Sequence, residues 1–151
     1  MGSGPFLTEL HDDVGEKMRK IGMEFGATTG RPRRCGWIDI PQLKYTCMIN
    51  GVTDIVITKL DVLDEFEEIK YCENYDIDGK LSDRLPFDIT HAGINPTYTA
   101  YEGWHSSLDD VVTYDQLPAK ASGYVDTLQQ AIGVKISMVS TGPERRKILH
   151  K

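Results

Sequence analysis

The chain has 151 residues, 40% of them hydrophobic and 26% charged, with a formal net charge of −6. That balance belongs to a globular protein with one core; it argues against disorder, and the acidic excess argues against nucleic-acid binding, which rewards a broad basic face. No apolar run approaches the length of a bilayer, and "MGSGPFLTEL" lacks the basic start and apolar stretch of a secretion signal, so the expectation is a cytoplasmic protein with no membrane partner.

In chain order, Leu10, Val14, Met18 and Ile21 recur at helical spacing, with Thr8 read as the N-cap, Asp12 and Asp13 early, Arg19 and Lys20 late, and Gly22 as the stop. After an arginine-rich loop, a second helix is predicted from Asp39, with Pro41 in its first turn where a missing N–H is harmless, to Asn50-Gly51. "IVITKLDVL" opens with a β-branched run that reads as a buried strand and turns polar at Thr58-Lys59-Leu60-Asp61. "EEIKYCENYDIDGK" reads as strand, turn at Asp78-Gly79 and return, and "PTYTAYEGW" as a further extended piece. Tyr124, Val125, Leu128 and Ile132 mark a helix from Pro118 to Gly133, and Val134, Ile136 and Met138 alternate as a strand that ends in Ser140-Thr141-Gly142-Pro143. There are no repeats or linker-like stretches, so the expectation is one domain over 1–151, of α/β class: a mixed sheet with flanking helices. Ligands of such sheets bind beyond the C-terminal strand ends, where two of the polar loops fall.

Three features carry chemistry. "TTGRPRRCGW" packs Arg31, Arg33 and Arg34 with Thr28 and Thr29 into one short loop. It reads either as a solvated surface or as an anion site, in which Gly26 and Gly30 let N–H groups converge and the guanidinium forks take carboxylate or phosphate. In an extended loop Arg31 and Arg33 would share a face and repel unless an anion lay between them. Lys59 and Asp61 read either as strand-end surface or as a guanine reader: one carboxylate accepts two hydrogen bonds from the ring N–H and exocyclic amine, a donor pair adenine lacks. On an extended backbone Lys59 would lie on the same side and cover the base with its stem. Ser140-Thr141-Gly142 reads either as a turn or as the closing wall of that base pocket.

Cys35, Cys47 and Cys72 are odd in number with no CxxC pair, so they read as reduced packing residues and no metal site is expected. Histidines 11, 91, 105 and 150 have no identifiable partners, and there is no GxxxxGK[ST] loop or triad pattern. No catalytic residue is expected in this chain.

"GSGPFLTEL", "EFGATTGRPRRCGWID", "TKLDVLDEFEEIKYC" and "VSTGPER", in this order and at these intervals, resemble the C-terminal part of adenylosuccinate synthetase. The resemblance implies the C-terminal part of a larger P-loop-like nucleotide-binding α/β enzyme. That family ligates IMP and L-aspartate with GTP in a magnesium-dependent reaction of AMP biosynthesis, as a homodimer. It matches Ala27, Thr28, Thr29, Gly30, Arg31, Pro32 and Arg33 to the aspartate loop, with Arg31 also at an IMP contact and Arg33 at a GTP contact. Lys59, Leu60, Asp61, Ser140, Thr141 and Gly142 match guanine-binding positions. The family's phosphate loop, catalytic aspartate, catalytic histidine and magnesium ligands have no counterpart here, and Leu7 stands where the family usually has proline. The chain therefore reads as a fragment, a truncated product or one piece of a larger assembly, and the isolated chain is expected to be inactive. The alternative is a non-catalytic guanine-nucleotide or anion-binding remnant.

Overall fold

The computed structural model describes residues 4–151; Met1, and the Gly2 and Ser3 that open the "GSGPFLTEL" stretch, lie outside the described residues. The chain divides into two compact units, the residues up to Tyr45 with Lys70–Thr99, and Thr46–Ile69 with Ala100–Lys151.

In the first unit, helix α1 (Asp13–Ile21) begins later than its spacing predicts. Its cap is Asp12, whose side chain accepts the Gly15 N–H at 3.0 Å, with Asp13 and Glu16 in the first turn and Arg19 and Lys20 in the last, all favourable to the helix dipole. Thr8, expected at that position, is instead fully buried and donates its hydroxyl to the Trp37 carbonyl at 2.7 Å. A contact 29 residues away took the hydroxyl that local spacing assigned to the helix end. Strand β1 (Ile38–Asp39) leads into helix α2 (Ile40–Asn50), which starts one residue after the predicted Asp39; the Asp39 side chain accepts the Gln42 N–H at 3.0 Å and caps it.

β1 lies parallel to strand β3 (Glu68–Ile77), pairing Ile38 with Tyr71 and Asp39 with Cys72. Tyr75 of β3 donates to both oxygens of the Asp39 carboxylate, at 2.6 and 2.7 Å; burial holds Asp39 above the usual carboxylate range, while the tyrosine hydroxyl is pushed well above its own. At the β3 turn, Asp78 and Gly79 both have positive φ, 51° and 83°, the two-residue hairpin geometry that the Asp-Gly pair predicts, and strand β4 (Lys80–Ser82) returns antiparallel. Strand β5 (Ile94–Glu102) also pairs with β3. Cys72, Tyr75 and Ile94 form the buried cluster, packed by Leu7, Ile77 and Leu85.

In the second unit, strand β2 (Asp54–Ile57) runs parallel to strand β6 (Lys135–Ser140), and strand β7 (Ile148–His150) runs antiparallel to β6 on its other side. The buried strand expected at Ile55 is a correction: Asp54 and Val56 are exposed and Ile55 and Ile57 half-buried, so β2 has one open face and one partly covered face among the described residues. Helix α3 (Ala119–Ile132) ends at Gly133, whose φ of 78° a side chain would resist, as expected. It buries Ala121, Tyr124, Val125, Leu128 and Ile132, a stripe at spacings of three and four. Gln129 of α3 accepts the Ile136 N–H at 2.9 Å and so joins the helix to the start of β6. A bulge follows: Ile55 pairs with Ile136 but Val56 with Met138, and the buried positions shift from Ile136 to Val139. Two mixed sheets and three helices among the described residues make the chain mixed α/β, as its sequence predicts.

Candidate functional site

The arginine loop is a small hairpin rather than an extended segment. Gly26 N–H donates to the Arg31 carbonyl and Arg33 N–H to the Glu24 carbonyl, both at 2.9 Å, with Phe25 bridged to Pro32 between them. Gly30 N–H closes on the Gly26 carbonyl at 2.8 Å with φ of 64°, a left-handed turn that glycine adopts without strain. Ala27, Thr28, Thr29, Gly30, Arg31, Pro32 and Arg33 are therefore presented together, all solvent-exposed, from the first unit.

The three arginines part company here. Arg33 donates to Glu24 at 2.9 Å, so an internal carboxylate already supplies the neutralising anion that the shared face was expected to need from outside. Arg34 donates to Glu9 at 2.7 Å and to the Gly4 carbonyl at 2.6 Å, and lies 5.4 Å from the Phe6 ring centre. The hydrogen bond from Arg34 holds Glu9 below the usual carboxylate range. Together with Leu10 N–H donating to the Cys35 carbonyl at 2.9 Å, these contacts fasten residues 4–10 to the arginine segment. Among the described residues, Arg31 is the arginine of the three whose guanidinium makes no hydrogen bond or ion pair.

In the second unit the two polar loops leave the same end of the sheet, because β2 and β6 are parallel neighbours. Lys59 N–H donates to the Ser140 hydroxyl at 3.0 Å and joins them. The extended backbone expected through Lys59 and Asp61 is a correction: Lys59 has φ of 60° and Leu60–Leu63 form a 3₁₀ turn, so the two side chains are not related by strand alternation. The turn buries Leu60 to 1% exposure and draws Asp61 partly inside. Burial raises the Asp61 pKa, its own amide and the Lys59 and Lys147 ammonium groups oppose that rise, and the Asp109 carboxylate adds to it. Thr141 is 1% exposed, its N–H donating to the Lys147 carbonyl at 3.0 Å.

Two polar atoms of this pair of turns are left without partners: Asp61 Oδ1 and Thr141 Oγ1 are buried and make no hydrogen bond among the described residues. A buried acceptor left unmade costs about 1–3 kcal/mol, so such atoms belong to a site completed by a ligand more readily than to a surface. The site also has components that local sequence features did not reveal. Asp64 accepts from the Trp104 indole and from the Leu108 N–H, both at 2.8 Å, and Lys147 donates to the Asp109 carbonyl. No group of three or more His, Cys, Asp or Glu placed to hold a metal ion occurs among the described residues, so the magnesium implied by the resemblance finds no ligand set here. No helix among them is long and apolar enough to cross a membrane.

A mixed α/β scaffold places two polar turns side by side at the ends of neighbouring parallel strands, where sheets of this class take their ligands, and each turn encloses an unpartnered oxygen. The chain belongs to the adenylosuccinate synthetase family, whose sequence model matches residues 1–149. It is 47% identical over 152 aligned residues to the adenylosuccinate synthetase of Cytophaga hutchinsonii, covering 100% of this chain and 35% of that protein. With the enzyme of Trichlorobacter lovleyi it shares 50% identity over 146 residues, 96% of this chain and 34% of the relative. A solved structure of fully ligated adenylosuccinate synthetase from Plasmodium falciparum superposes with a TM-score of 0.93 at 39% identity, over 100% of this chain and 37% of that one. The chain thus spans about a third of the length of the curated relatives it matches.

Proposed function

We propose that this chain is the C-terminal part of an adenylosuccinate synthetase, a cytoplasmic ligase that joins IMP to L-aspartate at the expense of GTP, and that it supplies the aspartate loop and the guanine-base site. The single observation that carries the reading is the pair of buried, unpartnered atoms at adjacent strand ends, Asp61 Oδ1 and Thr141 Oγ1. Guanine presents a ring N–H and an exocyclic amine to one carboxylate; Asp61, with its Oδ1 enclosed and unpartnered, is a bidentate acceptor for that pair when ionised, and a charge-assisted bond there is about twice as strong as a neutral one. Lys59 and Leu60 line the same turn, and Ser140, Thr141 and Gly142 bring a hydroxyl and close backbone from the other. Thr28, Thr29, Gly30 and Arg31, with Ala27, Pro32 and Arg33, form the hairpin that takes the carboxylates of L-aspartate, Arg31 also reaching IMP and Arg33 GTP. One domain or fragment over 1–151 remains the working boundary, and a homodimer the assembly of the complete enzyme.

Phosphorylation of the purine oxygen and its displacement by the aspartate amine require the acid, base and magnesium ligands that the resemblance assigns to the N-terminal part, so this chain binds and orients without reacting. The test is calorimetric titration of the purified chain with GDP and ADP, beside an assay of adenylosuccinate formation from IMP, aspartate, GTP and magnesium. Preference for GDP with no turnover is expected, and turnover is expected to appear on fusion to the unmatched part of a relative. Equal binding of ADP and GDP would remove the base-site reading, and turnover by the chain alone would remove the division of labour.

A further inference from the structure

The stretch from Gly103 to Asp110 is attached to both turns of the base site. On one side stands Asp64, whose amide donates to the Asp61 carbonyl at 3.1 Å at the end of the 3₁₀ turn. Its carboxylate spends both oxygens on the stretch, Oδ1 on the Trp104 indole N–H and Oδ2 on the Leu108 N–H, each at 2.8 Å. On the other side Lys147 donates to the Asp109 carbonyl, while the carbonyl of the same lysine receives the Thr141 N–H at 3.0 Å. Its stem runs beside the second turn, since a Cβ on Gly142 would lie 3.2 Å from Lys147 Cγ.

The attachment is tight. Gly103 N–H donates to the Glu67 carbonyl at 2.8 Å, and a Cβ at position 103 would fall 1.7 Å from the Phe66 carbonyl oxygen, a contact no other residue type permits. Trp104 and Leu108 are 7% and 0% exposed, and the Trp104 ring lies 6.2 Å from that of Tyr124 on α3. A carboxylate that reads two donors at once must be held to a fraction of an ångström, and residues locked by packing and hydrogen bonding are what hold it. Asp64 is such a residue: it is three positions beyond Asp61, and each of its oxygens has one fixed donor.

We propose that the 103–110 loop is the positioning wall of the guanine-base site, with Asp64 and Trp104 as positioning residues that hold the Asp61 carboxylate where it can accept both guanine donors. The proposal rests on the base-site reading given above. It predicts that disturbing Asp64 changes discrimination between bases, beyond any change in stability. Inosine diphosphate tests this, because it differs from GDP only in lacking the exocyclic amine and so keeps one of the two bonds.

The experiment titrates the 151-residue chain and its Asp64→Asn and Trp104→Phe variants with GDP and with inosine diphosphate, and records melting curves in parallel. The wild-type chain is expected to favour GDP on the order of tenfold, the value of one charge-assisted bond. Asp64→Asn, which turns an amide donor toward an N–H, is expected to bring that ratio close to one. Trp104→Phe keeps the ring against Tyr124 and loses only the indole donor, so the ratio should shrink by less. A ratio unchanged in Trp104→Phe, and in Asp64→Asn if that variant folds, overturns the proposal even when the melting temperatures fall. A wild-type chain without preference for GDP over inosine diphosphate overturns the base-site reading itself, and this inference with it.

Discussion

The arginine hairpin and the pair of strand-end turns handle their polar groups in opposite ways. In the hairpin, most of the conspicuous charge is spent internally, with Arg33 on Glu24 and Arg34 on Glu9 and Gly4. In the turns, an unremarkable Thr-Lys-Leu-Asp and a Ser-Thr-Gly leave Asp61 Oδ1 and Thr141 Oγ1 buried with no partner. Density of charge along the chain therefore locates a site less well than polar atoms that the fold encloses and does not satisfy. The hairpin keeps its arginines wet and pairs two of them, so it costs little to fold; the turns hold free energy in reserve for whatever supplies the missing hydrogen bonds.

The largest expected effect lies at Asp61. Asn at this position replaces one acceptor by a donor and opposes either the ring N–H or the amine of guanine. In the enzyme reconstituted by fusing this chain to the unmatched part of a relative, Asp61→Asn should lower GTP use on the order of tenfold to a hundredfold, from about 1.5–3 kcal/mol of lost charge-assisted bonding. Xanthine carries an oxygen where guanine carries its amine, so xanthosine triphosphate should be used better than by the wild type while aspartate affinity holds. Steady-state kinetics with both nucleotides check this; an unchanged preference would make Thr58–Asp61 an ordinary strand-end surface and erase the contrast between the regions.

Within the hairpin, Arg31→Ala and Arg34→Ala should separate binding from folding. The Arg31 guanidinium makes no hydrogen bond or ion pair among the described residues, so its loss should weaken aspartate and IMP use by about 1.5–3 kcal/mol and leave the melting temperature near its original value. Arg34 holds Glu9, Gly4 and the face of Phe6, so its loss should lower the melting temperature and affect substrate use less. Thermal melts paired with KM for both substrates measure the split. Equal losses of affinity in the two variants would show that the hairpin acts as a diffuse basic patch, without division among its arginines.

Much of this was legible along the chain, for reasons that also explain the misses. α3 announces itself from Pro118 to Gly133 because its apolar stripe, the proline that precedes its first turn and its left-handed stop are all local signals. The Asp78-Gly79 hairpin is equally local. Thr8 was misread as a helix cap because its partner is the Trp37 carbonyl, and no nearby residue carries that information. β2 has the β-branched composition of a buried strand, yet burial depends on what packs against each face of the sheet, and that is set by distant residues that its own composition does not name. Lys59 shows no glycine-like signal for its left-handed backbone; the bond from its N–H to Ser140, 81 residues on, accompanies that geometry. Asp64 and Trp104 were invisible because an acid and an indole 40 residues apart carry no spacing rule.

Thr141→Val gives a smaller effect of opposite sign on stability and binding. Valine keeps the shape and removes the buried hydroxyl that has no partner, so the free chain should gain about 1 kcal/mol. Guanine nucleotide affinity should fall severalfold. Denaturant midpoints and GDP titrations read the two together, and a loss of stability would mean that the hydroxyl is satisfied within the fold and that the turn stores nothing.

The smallest effect is a pH dependence, and its sign is distinctive. Burial raises the Asp61 pKa in the folded chain above its unfolded value of about 3.9. Below the unfolded value the carboxyl is protonated in both states. As pH rises from there through the folded value, the native state holds the proton longer than the unfolded state, so the stability contributed by this group falls and is lost above the folded pKa. Binding moves the other way, because only the ionised carboxylate accepts both guanine donors, and GDP affinity should rise across the same window. Asp39 and Asp64 are also raised by burial and Glu9 is lowered, so the stability of the whole chain mixes several groups. The informative quantity is the difference between wild type and Asp61→Asn, which cancels the others to first order. That difference should decline with rising pH in denaturant titrations of the free chain, while the wild-type advantage in GDP affinity grows. A stability difference that rises with pH would mean that Asp61 is paired inside the fold, as Glu9 is with Arg34, and the two regions would then be alike.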